Sequence, residues 1–308
     1  MTFLKIYASA LSLSFLLFSS FVFPGDEQKN PAANPTPLEL PLLKKNETIT
    51  NHTGFALCYQ EKYEQASWVA YELTSEETKS VAPRTNRFLP DPKIKTGSAT
   101  QADYSKSGYD RGHLAPAADM GWSALTMSES FYFSNMSPQI HSFNAGIWKK
   151  AEEQVRSWAR IYGSVYIATG PLLNEGLPTI GPNKVAVPEF YYKVVLRCAP
   201  NDTSGIGLLM PHQASSLPLS SFFVSIDSIE KRSGIDFFHN LPNLTETQIE
   251  ETCVPAEWPM VQSDANQPIE KNQATKPGNS VQCRGITKSG VRCKRKTTNA
   301  NGRCYLHQ

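Results

Sequence analysis

A mixed α+β fold with a mostly antiparallel sheet is the architecture this 308-residue sequence predicts. Three observations predict it. Several short runs are rich in β-branched and aromatic residues and are bounded by Gly, Pro or Asn, as strands are. One longer segment repeats its apolar residues at helical spacing. Polar, Pro- and Asn-containing stretches separate this region from both ends of the chain.

The first element is the stretch MTFLKIYASALSLSFLLFSSFVFPG, with one Lys ahead of an uncharged apolar and Ser-containing run. That is the pattern of a secretory signal peptide over residues 1–24, cleaved before DEQKNPAANPTP. Ile6 to Phe23 borders on membrane-spanning length, so an uncleaved anchor is the alternative. No Cys lies near the break, which argues against a lipoprotein. The expectation is a secreted or periplasmic protein with no stable membrane association after cleavage, in a compartment where disulfides persist.

Residues 25–50 read as a linker, and the compact domain is expected over 51–253. Strands are expected around Trp68 to Leu73, Ser164 to Gly170, Phe190 to Arg197, Ile206 to Pro211 and Phe222 to Ile226. Ile147, Trp148, Ala151, Val155, Trp158 and Ala159 form one apolar stripe, which predicts a helix from Asn144 to about Tyr162. A short helix should start at Asp227, with an Asp cap, Glu230 three residues on and Gly234 closing it. Residues 254–282 read as a second linker, and 283–308 as a small basic module.

Overall charge excludes little, because 30 basic against 28 acidic residues leave +2. Its distribution is more informative. Arg284, Lys288, Arg292, Lys294, Arg295, Lys296 and Arg303 give the tail +7 with no acidic residue, which leaves −5 for the rest. Cys283, Cys293, Cys304 and His307 within that tail make a complete tetrahedral zinc set closed by C-x-x-H. Disulfides, with Cys58, Cys198 or Cys253 as partners in the core, are the competing reading. Position alone suggests joining Cys198 to Cys253, with Cys58 an equal candidate for either. The tail would be drawn to nucleic acid by phosphate neutralisation and would tether the core to it.

The chemistry concentrates in YDRGHLAPAADM, residues Tyr109 to Met120, where His113 can serve as a base at neutral pH. The following FYFSNMSPQIHSFNAGIWKKAEEQ adds Asn135, Asn144 and Glu152. Eight residues along a straight helix separate Asn144 from Glu152 by about 12 Å. That places Asn144 on a metal ion and Glu152 on one of its waters. A neutral amide oxygen plus waters suits Mg²⁺ better than Zn²⁺.

DRGHLAPAAD, SNMSPQ and FNAGIWKKAEEQ together resemble the signature of the DNA/RNA non-specific endonucleases, the ββα-metal or His-Me finger nucleases. The likeness extends from about Phe55 to Cys253 through SWVAYELT, TGPLL, NKVAVPEFYYKVVL and IDSIEKRSGIDFF. It implies the ββα-metal fold and Mg²⁺-dependent hydrolysis of DNA and RNA, with Mn²⁺ able to substitute. It further implies His113 as general base, Asn144 as metal ligand, Glu152 ordering the ion's waters, Arg111 facing the phosphate and Asn135 bracing the site. The family also uses an upstream Arg, for which PRTNRFLPDP offers Arg84 and Arg87 without choosing. Asp110 is taken as structural, and Asp119 and His141 as chemically able residues off the matched positions.

Two alternatives come from other classes. A binding protein on a retired nuclease fold would have lost its base or ligand, yet His113, Asn144 and Glu152 are all present. A zinc hydrolase using the tail would need an open coordination position, which four protein ligands deny it. Expected partners are DNA and RNA, with an inhibitor or immunity protein and a homodimer both compatible with the reading.

Overall fold

The structure, a computed structural model, describes residues 37–199, 202–260, 281–286, 291–294 and 296–297. The expected leader, Cys304 and His307 lie outside the described residues. In chain order the core runs β1 (Thr50–Asn51), β2 (Ala56–Gln60), β3 (Gln65–Thr74), α1 (Gln101–Tyr104), β4 (Asp110–His113), α2 (Ala124–Glu129), β5 (Met136–Gln139) and α3 (His141–Phe143). A π turn (Asn144–Trp148) then leads into α4 (Lys149–Tyr162), followed by β6 (Ser164–Pro171), β7 (Thr179–Ile180), β8 (Val185–Ala186), β9 (Phe190–Ala199), β10 (Asp202–Pro211) and β11 (Phe223–Val224). Helices α5 (Ile226–Ser233) and α6 (Asn243–Glu251) complete it.

Seven strands form one antiparallel sheet in the order β1-β2-β3-β6-β9-β10-β11. Period-two side-chain alternation makes this sheet two-faced. On β3, Val69, Tyr71 and Leu73 join the core under α4, whereas Trp68 and Ala70 join the core under α5 and α6. β9 does the same, with Tyr191 and Val195 on the first face and Tyr192, Val194 and Leu196 on the second. The expected stripe is buried, with Ile147 and Trp148 in the π turn and Ala151, Val155, Trp158 and Ala159 in α4 each at most 1% exposed, so the regular helix begins at Lys149 rather than Asn144. The separate β4–β5 hairpin precedes this helix and completes the ββα unit of a ββα-metal nuclease fold.

Several boundaries differ from expectation. The segment read as a linker up to residue 50 lays Leu38, Leu40, Leu43 and Ile49 against the core beneath α5 and α6. At the other end Trp258 is fully buried, five residues past the expected limit at Cys253. It packs edge-on against Trp158 at 4.8 Å, while Trp158 Nε1 and Gln154 Nε2 donate to the Pro259 carbonyl. Phe222 to Ile226 is not one strand: a 3₁₀ turn ends at Phe222, only Phe223–Val224 pair with β10, and Ile226 opens α5. Ser225 rather than Asp227 caps that helix, because its hydroxyl is placed to accept from the Ser228 amide. Gly234 closes it at φ 65°, as expected.

The suggested Cys198–Cys253 disulfide is not formed, and Cys58, Cys198 and Cys253 are free thiols. Cys58 lies inside the α5/α6-side core while Cys253 packs on the α4 side, so the sheet stands between them. In the tail, β12 (Val281–Gln282) pairs with β13 (Lys296–Thr297). Cys283 and Cys293 are buried together there, and the Gly285 amide donates to Cys283 Sγ at 3.3 Å. No helix among the described residues is long and apolar enough to cross a membrane.

Trp258→Ala should destabilise the core by about 3–5 kcal/mol, the usual cost of emptying an aromatic core position. Correspondingly, a chain ended after Cys253 should melt well below one ended after Met260; equal melting temperatures would place the domain boundary at Cys253 after all.

Candidate active site

The β4–β5 hairpin pairs Asp110 with Gln139 and His113 with Met136. Gly112 between them leaves room for the Gln139 side chain, which a Cβ there would meet at 2.2 Å and have to displace. His113 therefore emerges from the strand at a fixed height. Its ring stands edge-on to Phe131 at 4.9 Å, and Trp148 Nε1 donates to its carbonyl oxygen at 3.1 Å. The next two residues are held by Asn135, whose backbone oxygen accepts from Leu114 and whose side chain both accepts from and donates to the Ala115 backbone. A third bond, Asn135 Nδ2 to the Ser130 oxygen, ties this clamp to the loop behind it.

His113 is 8% exposed, and its Nε2 has no partner among the described residues. Burial, reinforced by Arg84 and Arg111, lowers its pKa to about 3. The imidazole is thus neutral at physiological pH, with one of its two ring nitrogens unprotonated.

Asn144 reaches the same cleft by a route that a straight helix does not provide. The chain breaks its helical path at Gly146 (φ −102°, ψ −113°), inside the π turn, so the straight-axis separation from Glu152 does not apply. Asn144 Nδ2 donates to Asp110 Oδ2 at 2.9 Å, which leaves the amide oxygen as the group offered to the cleft. The same Asp110 oxygen lies 2.8 Å from His141 Nδ1, on an otherwise exposed side chain.

Glu152, one turn into α4, lines the cleft with Asn144, His113, Arg84 and Arg111. Beneath it sits a lysine that sequence reasoning passed over. Lys193 is 1% exposed on β9, donates to Thr169 Oγ1 at 3.1 Å and lies 4.1 Å from the centre of the Trp148 ring. Burial pushes the Glu152 carboxyl up and the Lys193 ammonium down, and each charge draws the other back toward its ionised form. Asp119 extends the network through Arg156 Nη1 at 2.6 Å and the Tyr71 hydroxyl at 2.8 Å. The signal for Lys193 was a cation in the middle of the apolar run FYYKVVL.

Of the two upstream arginines, Arg84 reaches the cleft, where its guanidinium lies over Phe131 at 4.9 Å. Arg87 is exposed and lines neither this cleft nor its extension. Arg111 stacks on Phe88 at 4.0 Å and donates to Gln101 Oε1. The cleft of about 300 Å³ adjoins a second hollow of about 470 Å³, with Arg84, Arg111 and Asn144 lining both. Lys106, Lys149 and Arg156 add further cations, so the groove suits a polyanion.

The donor set also fits a hard divalent cation. It provides an amide oxygen, a carboxylate and room for water, and among the described residues no triad of His, Cys, Asp or Glu gathers here as a zinc site would need.

The buried neutral His113 has a consequence for stability. Its folded pKa lies below the unfolded value near 6.5, so between these limits only the unfolded chain takes up the proton. Stability should then fall by about 1.4 kcal/mol per pH unit below pH 6.5 from this group, levelling near pH 3. Urea unfolding of wild type and His113→Asn from pH 7 to pH 4 checks this: the variant should lose about one proton of slope, and an unchanged slope contradicts it.

Comparison with known proteins agrees with this geometry. Residues 40–244 match the family described as DNA/RNA non-specific endonuclease. Mitochondrial endonuclease G of Bos taurus is 36% identical over 211 residues, covering 63% of this chain and 70% of that protein. Nuclease C1 of Cunninghamella echinulata var. echinulata is 36% identical over 205 residues, covering 61% and 81%. A solved EndoG, in complex with EndoGI, superimposes with a TM-score of 0.61 at 30% identity over 68% of this chain and 95% of that one. With a family match spanning most of its described core, this chain belongs to the DNA/RNA non-specific endonuclease family and is a hydrolase of the nuclease class.

Proposed function

We propose that this chain is an exported, Mg²⁺-dependent endonuclease that cleaves both DNA and RNA with little regard to base sequence. The observation that carries the reading is the meeting, in one basic groove, of a neutral His113 and an Asn144 amide held by Asp110. His113 takes the proton from the water that attacks phosphorus, and the bond from phosphorus to the 3′ oxygen breaks. Arg111 and Arg84 face the phosphate oxygens as their negative charge grows. Asn144 would hold Mg²⁺ directly and Glu152 would hold one of its waters, with Mn²⁺ an acceptable substitute; the ion would supply positive charge to offset the negative charge developing on the phosphate and leaving group. Asn135 keeps the His113 loop at its height. These groups read phosphate rather than base edges, which supports sequence-independent cleavage.

Export is supported by the leader, whose single Lys and uncharged apolar run differ from the Arg-rich amphipathic pattern of mitochondrial transit peptides. An inhibitor protein that occupies the groove is the partner to seek, since EndoG is found with an inhibitor, EndoGI. For the tail we propose a Zn²⁺ module with Cys283, Cys293, Cys304 and His307 as ligands. The paired burial of Cys283 and Cys293 and the amide bond to Cys283 Sγ support it.

On plasmid DNA and total RNA the wild type should smear both substrates with Mg²⁺ and neither with EDTA. His113→Ala should lose about 10²-fold or more in rate while still retarding DNA in a gel. A His113→Ala chain as active as wild type removes the assignment. Asp110→Asn should raise the Mg²⁺ concentration for half-maximal rate by about tenfold or more, because the partner that orients the Asn144 amide is altered. Deleting residues 261–308 should raise KM and flatten its salt dependence; if neither changes, the tail is no tether.

A further inference from the structure

On the sheet face away from the candidate active site, α5, α6 and the segment between them gather five carboxylates. Ligand oxygens of Asp227, Glu230 and Glu250 lie within 4.8 Å of one another, and so do those of Asp236, Glu246 and Glu250. Glu250 belongs to both sets and is the buried member, at 7% exposure. Among the described residues none of the five is in an ion pair within 4 Å, although His239 lies near enough to Glu246 to favour its charge; Glu230 Oε1 accepts the Phe237 amide and Glu250 Oε1 has no partner.

A buried, unpartnered carboxylate oxygen facing four other carboxylates is costly unless something positive meets it. Burial and mutual repulsion push Glu230 up to about 7 and Glu250 up to about 9. A bound cation would relieve the charge that this geometry concentrates.

We propose that Asp227, Glu230, Asp236, Glu246 and Glu250 form a Ca²⁺ site that fastens α5 to α6. All donors are hard oxygens, with neither thiolate nor imidazole among them, which disfavours zinc. Two overlapping triads around one carboxylate suit the six to eight flexible ligands of Ca²⁺ better than the strict octahedron of Mg²⁺. The helices it joins carry Ile226, Ile229 and Ile249, which seal the second core. The site is therefore structural, and it is distinct from the groove that holds His113.

The test keeps the full chain and silences the groove with Asn144→Ala, so that the ion measured is not the one beside His113. In that background 1 mM Ca²⁺ should raise the melting temperature by about 5 °C or more over EGTA, and equal Mg²⁺ by much less. Adding Glu250→Gln should abolish the shift. Should that variant not fold, Asp227→Asn with Asp236→Asn, both at exposed positions, should weaken Ca²⁺ binding in calorimetry at least tenfold. No Ca²⁺ shift, a shift that survives Glu250→Gln, or an equal response to Mg²⁺ would each overturn the proposal.

Discussion

The structure depends on a group of charges that would be untenable singly. Lys193 on β9, Glu152 and Arg156 on α4 and Asp119 from the loop after His113 meet where the helix crosses the sheet. Each is buried enough that an isolated charge would cost several kcal/mol, so the members persist only as a set. The set joins three elements far apart in sequence. It fixes α4 against the sheet in one rotation, and that rotation turns Glu152 into the cleft.

On this foundation the candidate site is assembled by short-range constraints. The β4–β5 register sets the height of His113, the Asn135 clamp stops the following loop from relaxing, and Phe131 keeps the ring dry. The π turn spends one irregular step to bring Asn144 back to Asp110. A base kept neutral by burial and an amide oxygen kept in place by a carboxylate are the two preparations that water-mediated phosphodiester hydrolysis needs.

Local patterns made much of this readable in sequence. The α4 stripe, the long strands and the Gly234 stop are signals of period and turn chemistry, and each falls where the pattern puts it. His113, Asn144 and Glu152 were legible through the motif they share, and they line one cleft. What escaped was tertiary. Trp258 looks like a lone aromatic in a Pro-containing tail until α4 offers it Trp158, and Leu38 to Ile49 look like linker until the second core covers them. Asp110 could not be tied to Asn144 without the hairpin that closes 34 residues of separation. The choice between Arg84 and Arg87 depends on the packing of Arg84 over Phe131, which comes from a loop more than forty residues away. The break at Gly146 had a weak local signal, since a glycine inside a helical pattern costs about 1 kcal/mol relative to alanine, but the apolar stripe running across it reads as one continuous helix.

The most direct measurement is a crystal structure of the His113→Ala chain with Mn²⁺ and a short DNA duplex, read by anomalous scattering. The account requires a manganese peak against the Asn144 amide oxygen, one bound water from Glu152, with a phosphate between it and the guanidinium groups of Arg111 and Arg84. Nucleic acid lying outside the groove, or a cleft without manganese while other sites fill, would contradict the placement of the active site.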